Sequence, residues 1–317
     1  MVRRSSLGST AAPVAWKICV PASSANLGPG FDALGLALSV YLRCRFRPAG
    51  RLKITVRGRD ANLISSGEDN FIWQTALGVA RGVGAELPPV ELEVDNDIPL
   101  GKGLGSSAAA LTAGVVIANK MLGLGWKPLR VLGEAARIEG HPDNVAASVL
   151  GSMVATAMDS AGLARAVRIE LHEKYCVGVV VPDFALPTKQ ARAVLPSGYS
   201  KQDVIFNVQR SALLVAALAT GTTAAFPAAL EDRLHQPYRA ALVPGLEEIL
   251  KLRAPGLLGC ALSGAGPSVL VFYEQGCEEV CDLVRQIFAL RGHTSELMKA
   301  SVAKEGLKIE EDIESWQ

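Results

Sequence analysis

The sequence PLGKGLGSSAA, residues 99–109, is the stretch from which the architecture of this 317-residue chain can best be inferred. Glycine lets a backbone turn tightly and approach a ligand closely, and Ser106 or Ser107 can cap the helix that the following apolar run predicts. A helix N-terminus presents free N–H groups and the positive end of the helix dipole, which together bind phosphate. The stretch therefore predicts a phosphate cradle and a nucleotide ligand. The alternative is a glycine-rich turn before an ordinary helix.

The expected nucleotide-binding residues are those of the whole stretch: Pro99, Leu100, Gly101, Lys102, Gly103, Leu104, Gly105, Ser106, Ser107, Ala108 and Ala109. We expect a side chain in place of Gly103 to occupy the space of the phosphates. Two other nucleotide-binding motifs are excluded. No G-x-x-x-x-G-K-[ST] loop occurs, and Pro29 interrupts the loose G-x-G-x-x-A match at residues 28–33.

The composition is that of an ordinary globular protein, with 49% apolar and 20% charged residues. Because 32 lysines and arginines face 31 acidic residues, the net charge of +1 gives no global attraction to nucleic acid or to an anionic membrane. No uninterrupted apolar run reaches the roughly 18 residues of a membrane helix, and no hydrophobic stretch follows Arg3 and Arg4. Neither a membrane span nor a secretory signal is therefore expected, and residues 1–13 are predicted to form a flexible tail.

The six cysteines are scattered along the chain without a C-x-x-C pair, which favours buried thiols over a zinc site. Cys277 and Cys281 are expected to share one face of a helix, because they are four residues apart. This cysteine usage predicts a reduced, cytoplasmic protein.

Strand and helix patterns are mixed along the chain and predict an α+β fold. Val90, Leu92 and Val94 alternate with polar residues as in a half-buried strand. Asp69 is expected to cap a helix that ends near Gly82. A domain boundary is placed within residues 159–165, which predicts an N-terminal domain of residues 14–162 and a C-terminal domain of residues 163–317.

Three further segments hold polar groups that could take part in chemistry. PASSANLGPGFDALGLAL, residues 21–38, brings the amide of Asn26 and the carboxylate of Asp32 to a Gly-Pro-Gly turn. EGHPDN, residues 139–144, combines a histidine, two carboxylates and an amide, which suits metal binding, proton transfer or substrate contact. SGAGPSV, residues 263–269, is a second glycine loop. The alternatives are a structured turn, a helix cap by Asp143 or Asn144, and a plain β-turn.

Two arginines are candidates for a carboxylate clamp, because one guanidinium can bind both oxygens of a carboxylate. Arg192 lies in PTKQARAVLP and Arg239 in LHQPYR. Taken singly, each arginine is more typical of a charged surface position.

The order of the four segments resembles the GHMP kinase superfamily over residues 16–301, nearly the whole chain. The glycine-serine loop is specific to the superfamily only, whereas residues 21–38 together with HPDN and HQPYR are most similar to its homoserine kinase family. The resemblance implies a two-domain GHMP kinase fold, in which the N-terminal domain is similar to ribosomal protein S5 and the C-terminal domain is ferredoxin-like. It also implies transfer of the γ-phosphoryl group of ATP to the side-chain hydroxyl of L-homoserine, a step in threonine biosynthesis.

The resemblance further implies roles for individual residues. Mg²⁺ is expected on Ser107 and on a glutamate, for which Glu139 is preferred while Glu134 stays open. The resemblance also implies that the protein forms a homodimer. The residues expected to bind L-homoserine are Asn26, Asp32, His141, Thr188, Arg192, Arg239 and Gly264.

The expected catalytic residues are Asn26 and Asp143. Asp143 could match the catalytic aspartate of mevalonate-type relatives, but the lysine of their first motif is missing from PASSANLG. Positioning and charge stabilisation do most of the work in phosphoryl transfer, so we expect Asn26, the loop amides and Mg²⁺ to stabilise the transferring group. His141 is then expected to bind substrate. The alternative functions are a kinase acting on mevalonate, shikimate or a sugar, and a nucleotide-binding regulator without catalysis.

Overall fold

The structure is a computed structural model that describes residues 14–313. The predicted tail, residues 1–13, lies outside the described residues. Within them the chain forms these strands: β1 (Ala15–Ala25), β2 (Leu34–Pro48), β3 (Lys53–Gly58), β4 (Val90–Asn96), β5 (Met153–Met158), β6 (Ala164–Ile169), β7 (Tyr175–Pro182), β8 (Leu257–Leu262), β9 (Val269–Glu274), β10 (Ser295–Met298) and β11 (Lys308–Asp312).

The α-helices of the same region are α1 (Phe71–Gly82), α2 (Ser106–Met121), α3 (Pro128–Glu139), α4 (Asp143–Leu150), α5 (Thr188–Ala193), α6 (Lys201–Thr220), α7 (Gln236–Arg239), α8 (Leu246–Leu250) and α9 (Val280–Leu290). Four short 3₁₀ turns lie at Ala61–Leu63, Thr223–Ala225, Ala228–Leu230 and Ala240–Leu242.

The strands form two sheets, which confirms the α+β prediction. A seven-stranded sheet has the order β11-β1-β2-β4-β3, and β5 and β6 extend it from β2. A four-stranded antiparallel sheet has the order β10-β7-β9-β8. The predicted domain boundary would fall in the turn between β5 and β6, which pair with each other in the larger sheet, while β11 pairs with β1. The division into domains at that point stays a prediction.

Helix α2 lies in the interior, against α1, α3, α4 and the strands β1 and β2. Most of its residues from Ala108 to Asn119 are buried, as expected for a helix that is apolar on all sides. The N-terminus of this helix is therefore held in a fixed place by the core around it.

Several local expectations need correction. Asn70, not Asp69, caps α1, and its side chain accepts hydrogen bonds from the N–H groups of Ile72 and Trp73. Cys277 precedes α9, so it does not share a helix face with Cys281. All six cysteines are free, but only three are fully buried, namely Cys44, Cys260 and Cys281.

Helix α6 is the one described helix whose length and composition would allow it to cross a membrane. The search of the sequence for uninterrupted apolar runs did not find this helix, because Asp203 and Arg210 interrupt its apolar residues. Length and composition alone are weak grounds for a membrane span. Asn207 and Ser211 of this helix both donate hydrogen bonds to the carbonyl oxygen of Pro29, at 3.0 and 2.8 Å, so α6 supports the Gly-Pro-Gly turn.

The two sheets are joined where the glycine loop after β4 packs against the glycine loop between β8 and β9. Ser263 Oγ donates to the Gly103 carbonyl oxygen at 2.8 Å. A Cβ on Gly103 would lie 2.2 Å from the Ser263 carbonyl oxygen and 2.8 Å from that of Gly266. A side chain at Gly103 was expected to enter the space of the phosphates. The structure gives a different reason why only glycine fits, because a Cβ there would collide with the backbone of the second loop.

Alanine in place of Gly103 should destabilise the fold more than alanine in place of Gly101. Both glycines have left-handed φ angles, 74° and 68°, which an alanine adopts at a cost of about 1–2 kcal/mol. A Cβ on Gly101 would meet only the Ala185 side chain, at 3.2 Å, so only Gly103→Ala adds overpacking of about 1–3 kcal/mol. Urea unfolding measures the difference, and equal losses for the two variants would contradict the loop contact.

Candidate functional site

The N-terminus of α2 is open at the centre of the site. The helix begins at Ser106, and the residue before it, Gly105, has a φ of 68° and provides no side-chain cap. The prediction that Ser106 or Ser107 caps the helix is wrong, because both residues lie inside its first turn. The N–H groups of that turn therefore have no capping side chain and can donate hydrogen bonds to an anion.

A cavity of about 220 Å³ lies in front of this helix end, where the four predicted segments meet. Most of the predicted site residues line it, and they lie in loops and helices that connect to strands of both sheets. They are Asn26, Asp32, Gly101, Gly103, Leu104, Gly105, Ser106, Ser107, Ala108, Glu139, His141, Asp143, Thr188, Arg192, Arg239 and Gly264.

Four residues of the predicted phosphate cradle do not line the cavity: Pro99, Leu100, Lys102 and Ala109. The side chain of Lys102 points to the end of β7, where Nζ donates to the carbonyl oxygens of Pro182 and Phe184, both at 2.8 Å. Burial lowers the pKa of this ammonium. Lys102 therefore ties the loop to the four-stranded sheet.

The first motif presents Asp32 to the cavity from a turn that Asn26 holds. The Oδ1 atom of Asn26 accepts the Asp32 N–H at 3.0 Å, and its Nδ2 group donates to the Gly264 carbonyl oxygen at 2.8 Å. Both residues have positive φ angles, 70° and 54°, which few residues other than glycine adopt. Backbone strain of this kind is typical of functional sites.

Asp32 and Arg192 form a two-bond ion pair inside the cavity. The Nη2 and Nη1 groups of Arg192 donate to the two carboxylate oxygens of Asp32 at 2.8 and 3.1 Å. The hydrogen bond and charge of Asp32 raise the pKa of Arg192, so this guanidinium stays charged. Asp32 and Arg192, which are both expected to bind the substrate, thus bind each other in this structure.

The EGHPDN turn connects α3 and α4 and directs a chain of polar side chains into the cavity. Asp143 is buried, and its Oδ1 atom accepts the Asn144 N–H at 2.7 Å and lies 3.0 Å from His141 Nδ1. Burial opposes the charged form of His141, but the hydrogen bond and charge of Asp143 outweigh it and raise the pKa of the imidazole. Burial also raises the pKa of Glu139, whose Oε1 atom lies 4.0 Å from His141 Nε2.

The two candidate glutamates for a metal differ in position. Glu139 lines the cavity, whereas Glu134 pairs with Arg137 at 2.7 Å and does not line it. Donor atoms of Asp32, His141 and Asp143 also lie within 4.8 Å of one another, a spacing that could hold a metal ion. The carboxylate and hydroxyl oxygens that surround the cavity are ligands that Mg²⁺ accepts.

Arg239 is a fully buried cation at the wall of the cavity, with only 1% of its surface exposed. Its hydrogen bonds go to two carbonyl oxygens, of Ala191 and Gly264, and to the imidazole of His235. Burial and the nearby charge of Arg192 lower the pKa of Arg239 to about 10. A buried guanidinium whose hydrogen bonds reach no carboxylate is costly, and an anionic ligand would offset that cost.

Sequence reasoning missed several residues of the site. Asn144 lines the cavity and its Oδ1 atom accepts the Ser23 hydroxyl at 2.9 Å; its place in EGHPDN was the signal. His235 lies behind Arg239, in the same HQPYR segment, and was not singled out. The other unpredicted lining residues are Ala25, Leu186, Pro187 and Ala265.

Comparisons with known proteins match the chain along most of its length. Family models of the GHMP kinases match residues 70–152 (N-terminal domain) and 214–282 (C-terminal). The homoserine kinase of Solibacter usitatus is 69% identical over 92% of this chain and 95% of its own length, and that of Deinococcus radiodurans is 45% identical over 80% and 83%. The crystal structure of the Cytophaga hutchinsonii homoserine kinase superposes with a TM-score of 0.79 at 26% identity, covering 96% of this chain and 100% of that one.

Proposed function

The chain belongs to the homoserine kinases, a family of the GHMP kinases, and we propose that it transfers the phosphoryl group inside the cavity described above. The expected GHMP kinase fold is confirmed by this membership. The protein is an ATP-dependent kinase that phosphorylates L-homoserine to O-phospho-L-homoserine, on the way to threonine. The assignments of individual residues that follow belong to the proposal.

The phosphates of ATP rest on the N-terminus of α2. The supporting observation is that this 16-residue helix starts without a side-chain cap and opens into the cavity through Gly105, Ser106 and Ser107. Its N–H groups and its dipole favour bound phosphate there. Lys102 takes part through its backbone, since its Nζ group is held by the carbonyl oxygens of Pro182 and Phe184.

L-Homoserine binds at the charged end of the cavity, and Arg239 is the observation that carries this assignment. Its buried guanidinium lacks a hydrogen-bonded carboxylate, and the α-carboxylate of the substrate supplies one. Asp32 and Arg192, which pair with each other in this structure, turn to the ammonium and the carboxylate of the zwitterion. One internal ion pair is thereby exchanged for two ion pairs with the substrate. Thr188 and Gly264 complete the wall of this end of the cavity.

Mg²⁺ would be held by the Ser107 hydroxyl and the Glu139 carboxylate. Both residues line the cavity, and both supply the oxygen ligands that Mg²⁺ prefers. The ion would shield the negative charge of the phosphates during transfer. Glu134 is less suited, because Arg137 already neutralises it outside the cavity.

Catalysis depends on orientation more than on a strong base. The raised pKa of His141 keeps more of the imidazole protonated near neutral pH, and a protonated imidazole cannot take the hydroxyl proton. Asp143 fixes this ring, which then donates a hydrogen bond to the substrate. Asn26 holds the Asp32 turn and contributes its amide to the stabilisation of the transferring group.

We also place the protein in the cytoplasm, since its six cysteines are free thiols, which persist in a reducing compartment. The homodimer implied by the resemblance stays a prediction.

The function is tested by measuring ADP release from ATP with L-homoserine, mevalonate, shikimate and galactose in turn. We expect kcat/KM for L-homoserine to exceed that for each other alcohol by about a hundredfold or more, because only a zwitterion satisfies both Asp32 and the arginines. Phosphorus NMR should place the new phosphate on the side-chain hydroxyl. Faster turnover with a sugar or mevalonate would overturn the substrate assignment, and no turnover with any alcohol would favour a regulator.

The metal assignment predicts different effects for two neighbouring glutamates on α3. Glu139→Gln should lower kcat/KM by about tenfold or more and raise the Mg²⁺ concentration needed for half-maximal rate, because it removes a ligand charge. Glu134→Gln is the matched control, since its carboxylate binds Arg137, and it should leave the Mg²⁺ dependence unchanged. The reverse result would assign the metal to Glu134.

A further inference from the structure

The Arg239 guanidinium is held by hydrogen bonds at two of its three nitrogen atoms. Its Nε group donates to the Ala191 carbonyl oxygen at 3.1 Å, and Nη1 donates to the Gly264 carbonyl oxygen at 3.1 Å and to His235 Nδ1 at 3.0 Å. Among the described residues no protein hydrogen bond reaches Nη2, and Arg239 lines the cavity. The three bonds therefore fix the plane of the guanidinium while leaving Nη2 for a ligand.

The partners of His235 require a single protonation state of its ring. An arginine N–H can only donate, so Nδ1 must accept and carries no proton. The Gly28 carbonyl oxygen, 2.7 Å from Nε2, can only accept, so Nε2 must carry the proton. The ring is completely buried, and Phe31 stacks on it at 5.2 Å between ring centroids. His235 is thus neutral, with one nitrogen accepting and the other donating.

The turn around His235 is held by the carboxylate of Asp232. Asp232 has a fully buried side chain that accepts the N–H groups of Leu234, His235 and Gln236, and its Oδ2 atom lies 3.5 Å from His235 Nε2. The other charged groups that act on His235 are Arg239 and Asp32. Burial, and after it the charge of Arg239, lower the pKa of His235, in agreement with the neutral ring that the hydrogen bonds require.

We propose that His235 is a positioning residue, whose Nδ1 atom holds Arg239 so that Nη2 faces the substrate carboxylate. This inference rests on the carboxylate role proposed for Arg239. A neutral acceptor suits the task, because it fixes the direction of the guanidinium without neutralising its charge. A carboxylate in the same place would pair with Arg239 and compete with the substrate. Through Nε2 the same ring also holds Gly28, in the loop that carries Asn26 and Asp32.

Two variants separate the two sides of the ring. In His235→Asn the amide oxygen can replace Nδ1 as the acceptor for Arg239, while the bond to Gly28 is lost. In His235→Gln the amide nitrogen can replace Nε2 as the donor to Gly28, while the acceptor for Arg239 is lost. We expect His235→Gln to raise KM for L-homoserine by about tenfold with kcat and KM for ATP unchanged, and His235→Asn to stay near the wild-type value. A purely structural role would affect both variants alike, and equal KM values in the two would overturn the proposal.

Arg239→Leu in the same assay distinguishes failure of this inference from failure of the carboxylate clamp. The clamp predicts a large rise in KM for L-homoserine while ATP binding survives. If Arg239→Leu leaves that KM unchanged, the clamp fails and the role of His235 with it. If Arg239→Leu raises KM but His235→Gln does not, only the role of His235 is overturned.

A measurement on the wild-type protein keeps the proposal testable if a variant does not fold. Nitrogen-15 NMR of the histidine rings reports which nitrogen bears the proton. The proposal requires the Nε2–H form for His235 at neutral pH, with Nδ1 unprotonated. A proton on Nδ1 would exclude that atom as an acceptor and overturn the proposal.

Discussion

The contact between the two glycine loops is the constraint on which the rest of the site depends. One loop follows β4 of the larger sheet and ends at the N-terminus of α2, and the other connects β8 and β9 of the smaller sheet. Gly103 lies so close to Ser263 and Gly266 that no side chain fits between the two backbones. The open helix end and the Gly264 carbonyl, to which both Asn26 and Arg239 donate, are thereby brought to one cavity. The proposed phosphate site and the proposed carboxylate site thus depend on the same packing contact.

The charges of the site are arranged for a ligand that carries both signs. Asp32 and Arg192 pair with each other in this structure, whereas the hydrogen bonds of Arg239 go to neutral groups only. A ligand with only a carboxylate would take Arg192 from its ion pair and leave the Asp32 carboxylate unpaired. A ligand with an ammonium alone would leave Arg192 unpaired. An amino acid compensates both groups, and this physical selection agrees with the substrate of the family to which the chain belongs.

Sequence reasoning found the elements with strong local signals and the four segments that form the site. The alternation of Val90, Leu92 and Val94 and the glycine loop before an apolar helix are local patterns, and the structure has the strand and the helix there. Sequence patterns could not predict the details that depend on three-dimensional packing. Gly105, with its left-handed backbone, is the N-cap of α2, so Ser106 already lies inside the helix. The Lys102 side chain points away from the cavity, to carbonyl oxygens some 80 residues further along the chain. The ion pair of Asp32 with Arg192 and the hydrogen bond of His235 to the Gly28 carbonyl oxygen join residues far apart in sequence, which no single motif records.

A crystal structure with L-homoserine, Mg²⁺ and a non-hydrolysable ATP analogue would show whether phosphate and substrate carboxylate bind at the two ends of the cavity as proposed. We expect phosphate oxygens on the backbone N–H groups of the first turn of α2, and the homoserine carboxylate on Arg239 Nη2 and Arg192. We also expect the ammonium on Asp32, with the side-chain hydroxyl directed toward the γ-phosphate. A nucleotide bound away from the start of α2, or a homoserine carboxylate that does not contact Arg239, would contradict the proposal.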